Sequence, residues 1–120
     1  MNKKIMKKWV KALRSGKYRK TREVLCKVAE NGNKSWCCLG VLTDLYNKEH
    51  KQDPIEIEAE DADLPFCVQE WSGMRSYDGR IPYGYGNQSV TSLAELNDCT
   101  KSKRSFKRMA DIIENNWKVL

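Results

Sequence analysis

Cys38-Leu39-Gly40-Val41-Leu42-Thr43-Asp44-Leu45-Tyr46 is the most apolar run of the chain, and whether it is a strand or a helix decides the fold. Cys38, Leu42, Leu45 and Tyr46 recur at helical spacing, which predicts a buried helix in which Gly40 and Val41 are the least helix-favouring members. Upstream the period changes. Val24, Cys26 and Val28 alternate with Glu23, Leu25 and Lys27, so a strand is expected within residues 18–28. Asn31-Gly32 then supplies the positive-φ positions of a hairpin turn, with residues 35–37 as the returning strand. Further upstream, Ile5, Trp9, Val10 and Leu13 form one face of a lysine-rich amphipathic helix that Gly16 should end.

Downstream, residues 47–63 have no sustained period and are expected as an acidic loop, with Ile55 and Ile57 as a short edge strand. Asp63-Leu64-Pro65 should open a short helix that turns Val68 and Trp71 inward and stops at Gly73. Residues 76–86 have the Tyr, Gly and Pro content of a surface loop. Ser92-Leu93-Ala94-Glu95 is a capping box, and Ser105 caps a final helix on which Phe106, Met109, Ala110, Ile113 and Trp117 share a face. The expected fold is α+β: a small antiparallel hairpin or sheet packed with N-terminal, central and C-terminal helices, in a single domain spanning residues 1–120.

Charge is segregated rather than spread. Residues 1–48 hold 13 Lys/Arg against 3 acidic residues, residues 49–70 hold 1 against 8, and residues 71–120 hold 8 against 5, within a net charge of +6. A positive field of this kind raises encounter rates with phosphates, nucleotides and acidic proteins. The five cysteines are odd in number, and Lys7, Lys8 and Lys11 interrupt any apolar run behind the basic start. Neither a signal peptide nor a membrane span is expected, and the thiols are expected to stay reduced. No Cys-x-x-Cys pair occurs and His50 is the one histidine, so no metal site and no cofactor are expected.

Catalytic signatures are missing as well: there is no Walker-type loop, no Gly-x-Ser-x-Gly and no His-Glu-x-x-His. Cys26 or Cys38 with His50 is the one formal nucleophile–base combination, against which stands the frequency with which free cysteine is simply buried. Anion binding is the class the residues favour. Arg14, Lys17, Arg19, Lys20 and Arg22 surround the Gly16 turn, where guanidinium forks could meet a phosphate and Tyr18 could stack on a base. Tyr83 and Tyr85 in the glycine-rich loop, and the Asn97-Asp98 pair, complete the candidate ligand-binding set. Residues 93–113 superficially follow a helix-turn-helix with Lys101, Lys103, Arg104, Lys107 and Arg108 near its second helix, but the intervening segment is too long for that motif.

Taken together, Lys8-Trp9-Val10-x-Ala12-Leu13-Arg14-Ser15-Gly16-x-Tyr18, Trp36-Cys37-Cys38-Leu39-Gly40-Val41-Leu42-x-Asp44-Leu45, Leu64-Pro65-x-x-Val68-x-x-Trp71-x-Gly73, Leu93-x-x-Leu96-Asn97-Asp98 and Ser105-Phe106-x-x-Met109-Ala110-Asp111-x-Ile113-Glu114 resemble a family of small accessory proteins of tailed bacteriophages. Met109 in place of an aliphatic Ile, and the Lys/Arg-rich stretch after Asp98, depart from its pattern. The resemblance carries no catalytic residue across. It implies a counter-defence or host-takeover role in the host cytoplasm, for which the expected ligand is anionic and nucleotide-derived, sequestered without catalysis. A host protein surface and nucleic acid are the alternative partners, and a homo-oligomer is compatible with either.

Overall fold

The computed structural model describes residues 1–51, 63–82, 90–100 and 104–120. Its elements run α1 (Lys3–Arg14), β1 (Cys26–Val28), β2 (Lys34–Trp36), α2 (Cys38–His50), α3 (Phe66–Ser72), β3 (Arg80–Pro82), β4 (Val90–Ser92), α4 (Leu93–Asp98) and α5 (Phe106–Asn116). The class is α+β. Among the described residues the strands form two separate antiparallel hairpins, β1–β2 and β3–β4. The expected edge strand at Ile55 and Ile57, the tyrosines Tyr83 and Tyr85, and Lys101 and Lys103 lie outside the described residues.

The apolar run that decides the fold is the helix α2, and its surroundings explain why it tolerates Gly40. A Cβ at Gly40 would stand 1.8 Å from the Leu25 carbonyl oxygen, so only glycine lets this helix lie directly on the backbone of the preceding segment. Cys38 through Thr43 are all buried, which is why one-sided periodicity is weak here. Thr43 is accommodated because its hydroxyl donates back to the Leu39 carbonyl at 3.0 Å. The helix also continues past its expected end. Asn47 is buried and His50 meets Trp71 of α3 edge-on, with ring centroids 5.9 Å apart, so tertiary contacts carry residues 47–50 into α2 instead of a loop.

Around α2 the helices close the core. Trp9 on α1 is fully buried, and its indole N–H donates to the Cys38 carbonyl at 2.9 Å, fixing α1 to the start of α2. Asn2 caps α1 by accepting from the N–H groups of Lys4 and Ile5. The most extensive helix pairing is α1 with α5, where Phe106, Met109, Ala110 and Ile113 meet Ile5, Met6, Trp9, Val10 and Leu13. At the C-terminal side, Ser92 and Glu95 form the capping box, so β4 runs straight into α4.

Two further expectations change. The strand expected within residues 18–28 is reduced to Cys26–Val28. Before it, the chain runs beside Trp36 in the parallel sense, with Trp36 N–H donating to the Arg19 carbonyl and Thr21 N–H donating to the Trp36 carbonyl. Glu23 then adopts φ +68, which reverses the chain so that it returns as β1 in the antiparallel sense. In consequence Leu25 faces the core and Val28 faces solvent, against the expected alternation. Residues 80–82, expected within a loop, form β3 because their backbone pairs with β4.

Candidate functional site

The basic residues around the Gly16 turn do not converge; the fold distributes them to three places. Arg14, at the end of α1, is drawn to α5, where its guanidinium donates to Asp111 at 2.8 Å and Glu114 at 3.1 Å. These bonds, first the one to Asp111, raise its already high pKa. Arg14 thus borders a concavity of about 480 Å³ with Lys7, Val10, Lys11 and Ser15, but its charge is matched by two carboxylates.

Tyr18 goes to α2. Its half-buried ring meets Trp36 edge-on at 5.0 Å, its hydroxyl donates to Asp44, and Lys48 donates to the same hydroxyl at 3.1 Å. Burial, then the Asp44 bond, pushes the Tyr18 pKa up, and the ring is occupied by protein contacts. Lys17 and Arg19 are exposed on either side.

The third place is a groove of about 590 Å³ lined by Lys20, Thr21, Arg22, Glu23, Lys27, Asp98 and Thr100. The segments that line it are held together by Asn97, which is fully buried. The Asn97 carbonyl oxygen Oδ1 accepts from the Cys38 N–H at 3.2 Å, and its Nδ2 donates to the Thr21 carbonyl at 3.0 Å and to Asp98 Oδ1 at 2.9 Å. One side chain therefore ties together the first turn of α2, the irregular segment before β1 and the end of α4. Asp98 Oδ1 also accepts from the Glu23 N–H at 3.0 Å. Lys20 donates from Nζ to the Asn97 backbone carbonyl at 2.7 Å. Its pKa is lowered, by burial first and by the neighbouring Arg22 charge second, and Arg104 adds to the positive field there. The buried Nη1 of Arg104 has no hydrogen-bond partner among the described residues.

Of the expected ligand residues, the groove unites Arg22 and Asp98, with Asn97 beneath them as a fully bonded clip whose amide has no donor left for a ligand. Lys27, Thr21 and Thr100 were not anticipated, because they come from separate stretches that only the Asn97 clip brings together. Asn97 itself had a legible signal: with Leu93 and Leu96 it occupies the core-facing positions of α4, where a polar residue must find buried partners.

The two adjacent thiols at the start of α2 are placed unfavourably for covalent chemistry. Cys38 is fully buried and Cys37 nearly so, and burial raises the Cys37 thiol pKa to about 11 and that of Cys38 well above its usual value. Cys38 and His50 stand at opposite ends of α2, about 18 Å apart along its axis, which rules out their pairing as nucleophile and base. Among the described residues no group of three His, Cys, Asp or Glu side chains is placed to hold a metal, and no helix is long and apolar enough to cross a membrane. Residues 99–105 separate α4 from α5, more than the three- to four-residue turn of a helix-turn-helix.

Compared with known proteins, the chain matches a family described as a domain of unknown function, DUF8296, over residues 1–117. No curated protein and no solved structure matches it. With nearly its whole length matched, this chain belongs to the DUF8296 family.

Proposed function

We propose that the chain captures an anionic, nucleotide-derived small ligand in the groove between residues 20–27 and the end of α4, and that it does so by binding alone. The observation that carries this reading is the state of the cations there. Among the described residues, no carboxylate lies within 4.0 Å of the charged groups of Lys20, Arg22 or Lys27, whereas Arg14 is paired twice. Cations that line a concavity and are not held in ion pairs supply charge-assisted donors to a phosphate, and the hydroxyls of Thr21 and Thr100 add neutral ones. The groove also has the size of ordinary small-ligand sites, roughly 300–1,000 Å³. Burial of Cys37 and Cys38 supports binding without covalent chemistry. Counter-defence in a bacteriophage-infected cytoplasm is the setting we propose for this capture, on the strength of the sequence resemblance.

Calorimetry of the intact chain against AMP, ADP-ribose and cyclic oligonucleotides tests the reading. One saturable site, weakened in Arg22→Ala and retained in Arg14→Ala, is the expected result. Uniform absence of binding would overturn it.

A second reading, docking on an acidic host protein, is favoured by the exposed Lys3, Lys4, Lys7, Lys8 and Lys11 on α1 and by the concavity that Lys7 and Lys11 border with Arg14. A partner retained in pull-downs from infected-host lysate, and released by reversing the charges of Lys7 and Lys11, would support it over the groove.

A further inference from the structure

Resting on the groove as an anion site, we infer that Asp98 reads sugar hydroxyls beside the bound phosphate, so that the ligand is a nucleotide with sugar hydroxyls rather than one stripped of them or a bare polyphosphate. The groove is bipolar. Lys20, Arg22 and Lys27 supply positive charge, yet Glu23 and Asp98 also line it. A simple polyanion would meet those carboxylates unfavourably; a ligand with donors next to its phosphate would use them.

Asp98 is positioned for that task. Its Oδ1 accepts from the Glu23 N–H and from Asn97 Nδ2, so one oxygen is held by the protein and the carboxylate plane is set. Neither bond uses Oδ2, while the side chain borders the groove. Oδ2 is an acceptor only, and a pair of sugar hydroxyls is the complementary pair of donors. The location reinforces this. Asp98 is the last residue of α4, where backbone carbonyl oxygens already concentrate negative charge, and none of the described cations lies within 4.0 Å of its carboxylate. The chain even holds Glu23 at φ +68, a conformation disfavoured for a residue with a side chain, in the segment that delivers its N–H to Oδ1.

The test compares AMP with 2′,3′-dideoxy-AMP and with inorganic pyrophosphate, by calorimetry on the intact chain and on Asp98→Asn. Asparagine keeps an acceptor at Oδ1 and so keeps the clip, which a melting curve checks. The intact chain should prefer AMP over the dideoxy compound by about tenfold, the usual weight of a hydrogen bond to a charged group. Asp98→Asn should bring that ratio close to one and bind pyrophosphate more tightly than the intact chain, because a repelling charge is gone. A purely structural Asp98 would weaken all three ligands together. Equal affinity of the intact chain for AMP and its dideoxy analogue would overturn the inference while leaving the groove as an anion site. Failure of all three probes to bind would overturn the inference, and failure of ADP-ribose and the cyclic oligonucleotides as well would overturn both.

Discussion

Two basic regions lie within the first third of the chain and have opposite fates. At the end of α1, Arg14 faces α5 and is paired with Asp111 and Glu114, so its charge joins two helices. In the irregular segment a few residues later, Lys20 and Arg22 have no such partners among the described residues and border a groove with Lys27 from β1. Local composition is nearly the same in both. What differs is the facing element: α5 presents carboxylates to Arg14, whereas the end of α4 presents to Lys20 a backbone carbonyl and a carboxylate already engaged by its neighbours. Positive charge becomes available to a ligand where the fold does not bind it into an ion pair.

The sharpest way to break this contrast is at the seam that holds the groove segment against α2. Gly40→Ala forces a methyl group into the Leu25 carbonyl, and since backbone meets backbone there, it should cost about 3 kcal/mol or more in urea unfolding. Asn97→Ala comes next. It strands the buried Cys38 N–H and loosens the Thr21 carbonyl, with an expected loss of about 2 kcal/mol and disappearance of groove binding even where the chain remains folded.

A smaller effect separates the regions through pH. The Lys20 pKa is lowered by burial and by Arg22, so its positive charge is lost at a lower pH than an exposed lysine would lose it. Anion affinity should therefore decline with rising pH before the ordinary lysine value of 10.5 is reached, and Lys20→Arg should flatten that decline. Calorimetric titrations at a series of alkaline pH values check this. Smallest of all is Arg14→Ala, whose exposed ion pairs contribute little in water; it should leave groove affinity unchanged and shift the unfolding midpoint least.

The helices were legible because their signals are local. Ile5 to Leu13 and Phe106 to Ile113 show their buried faces directly, Gly16 and Gly73 end helices at positive φ, and Ser92 with Glu95 announces α4. The irregular segment before β1 was illegible for the complementary reason. Its course depends on a parallel bridge to Trp36, on the reversal at Glu23 and on an asparagine distant in sequence, none of which alters the alternation of apolar residues. The extension of α2 to His50 likewise rests on its edge-on contact with Trp71 from another helix. As for the site, the residue types around Gly16 pointed to an anion, but the fate of each cation was set by a partner elsewhere in the chain: Asp111 and Glu114 for Arg14, Asp44 for Tyr18, Asn97 for Lys20.

The most direct measurement is a residue-resolved amide NMR titration of the intact chain with AMP. Shifts that saturate together at Lys20, Thr21, Arg22, Glu23, Lys27, Asp98 and Thr100, with Lys7, Lys11 and Arg14 unmoved, are predicted. Shifts confined to the α1–α5 face, or no saturable shift anywhere, would contradict the account.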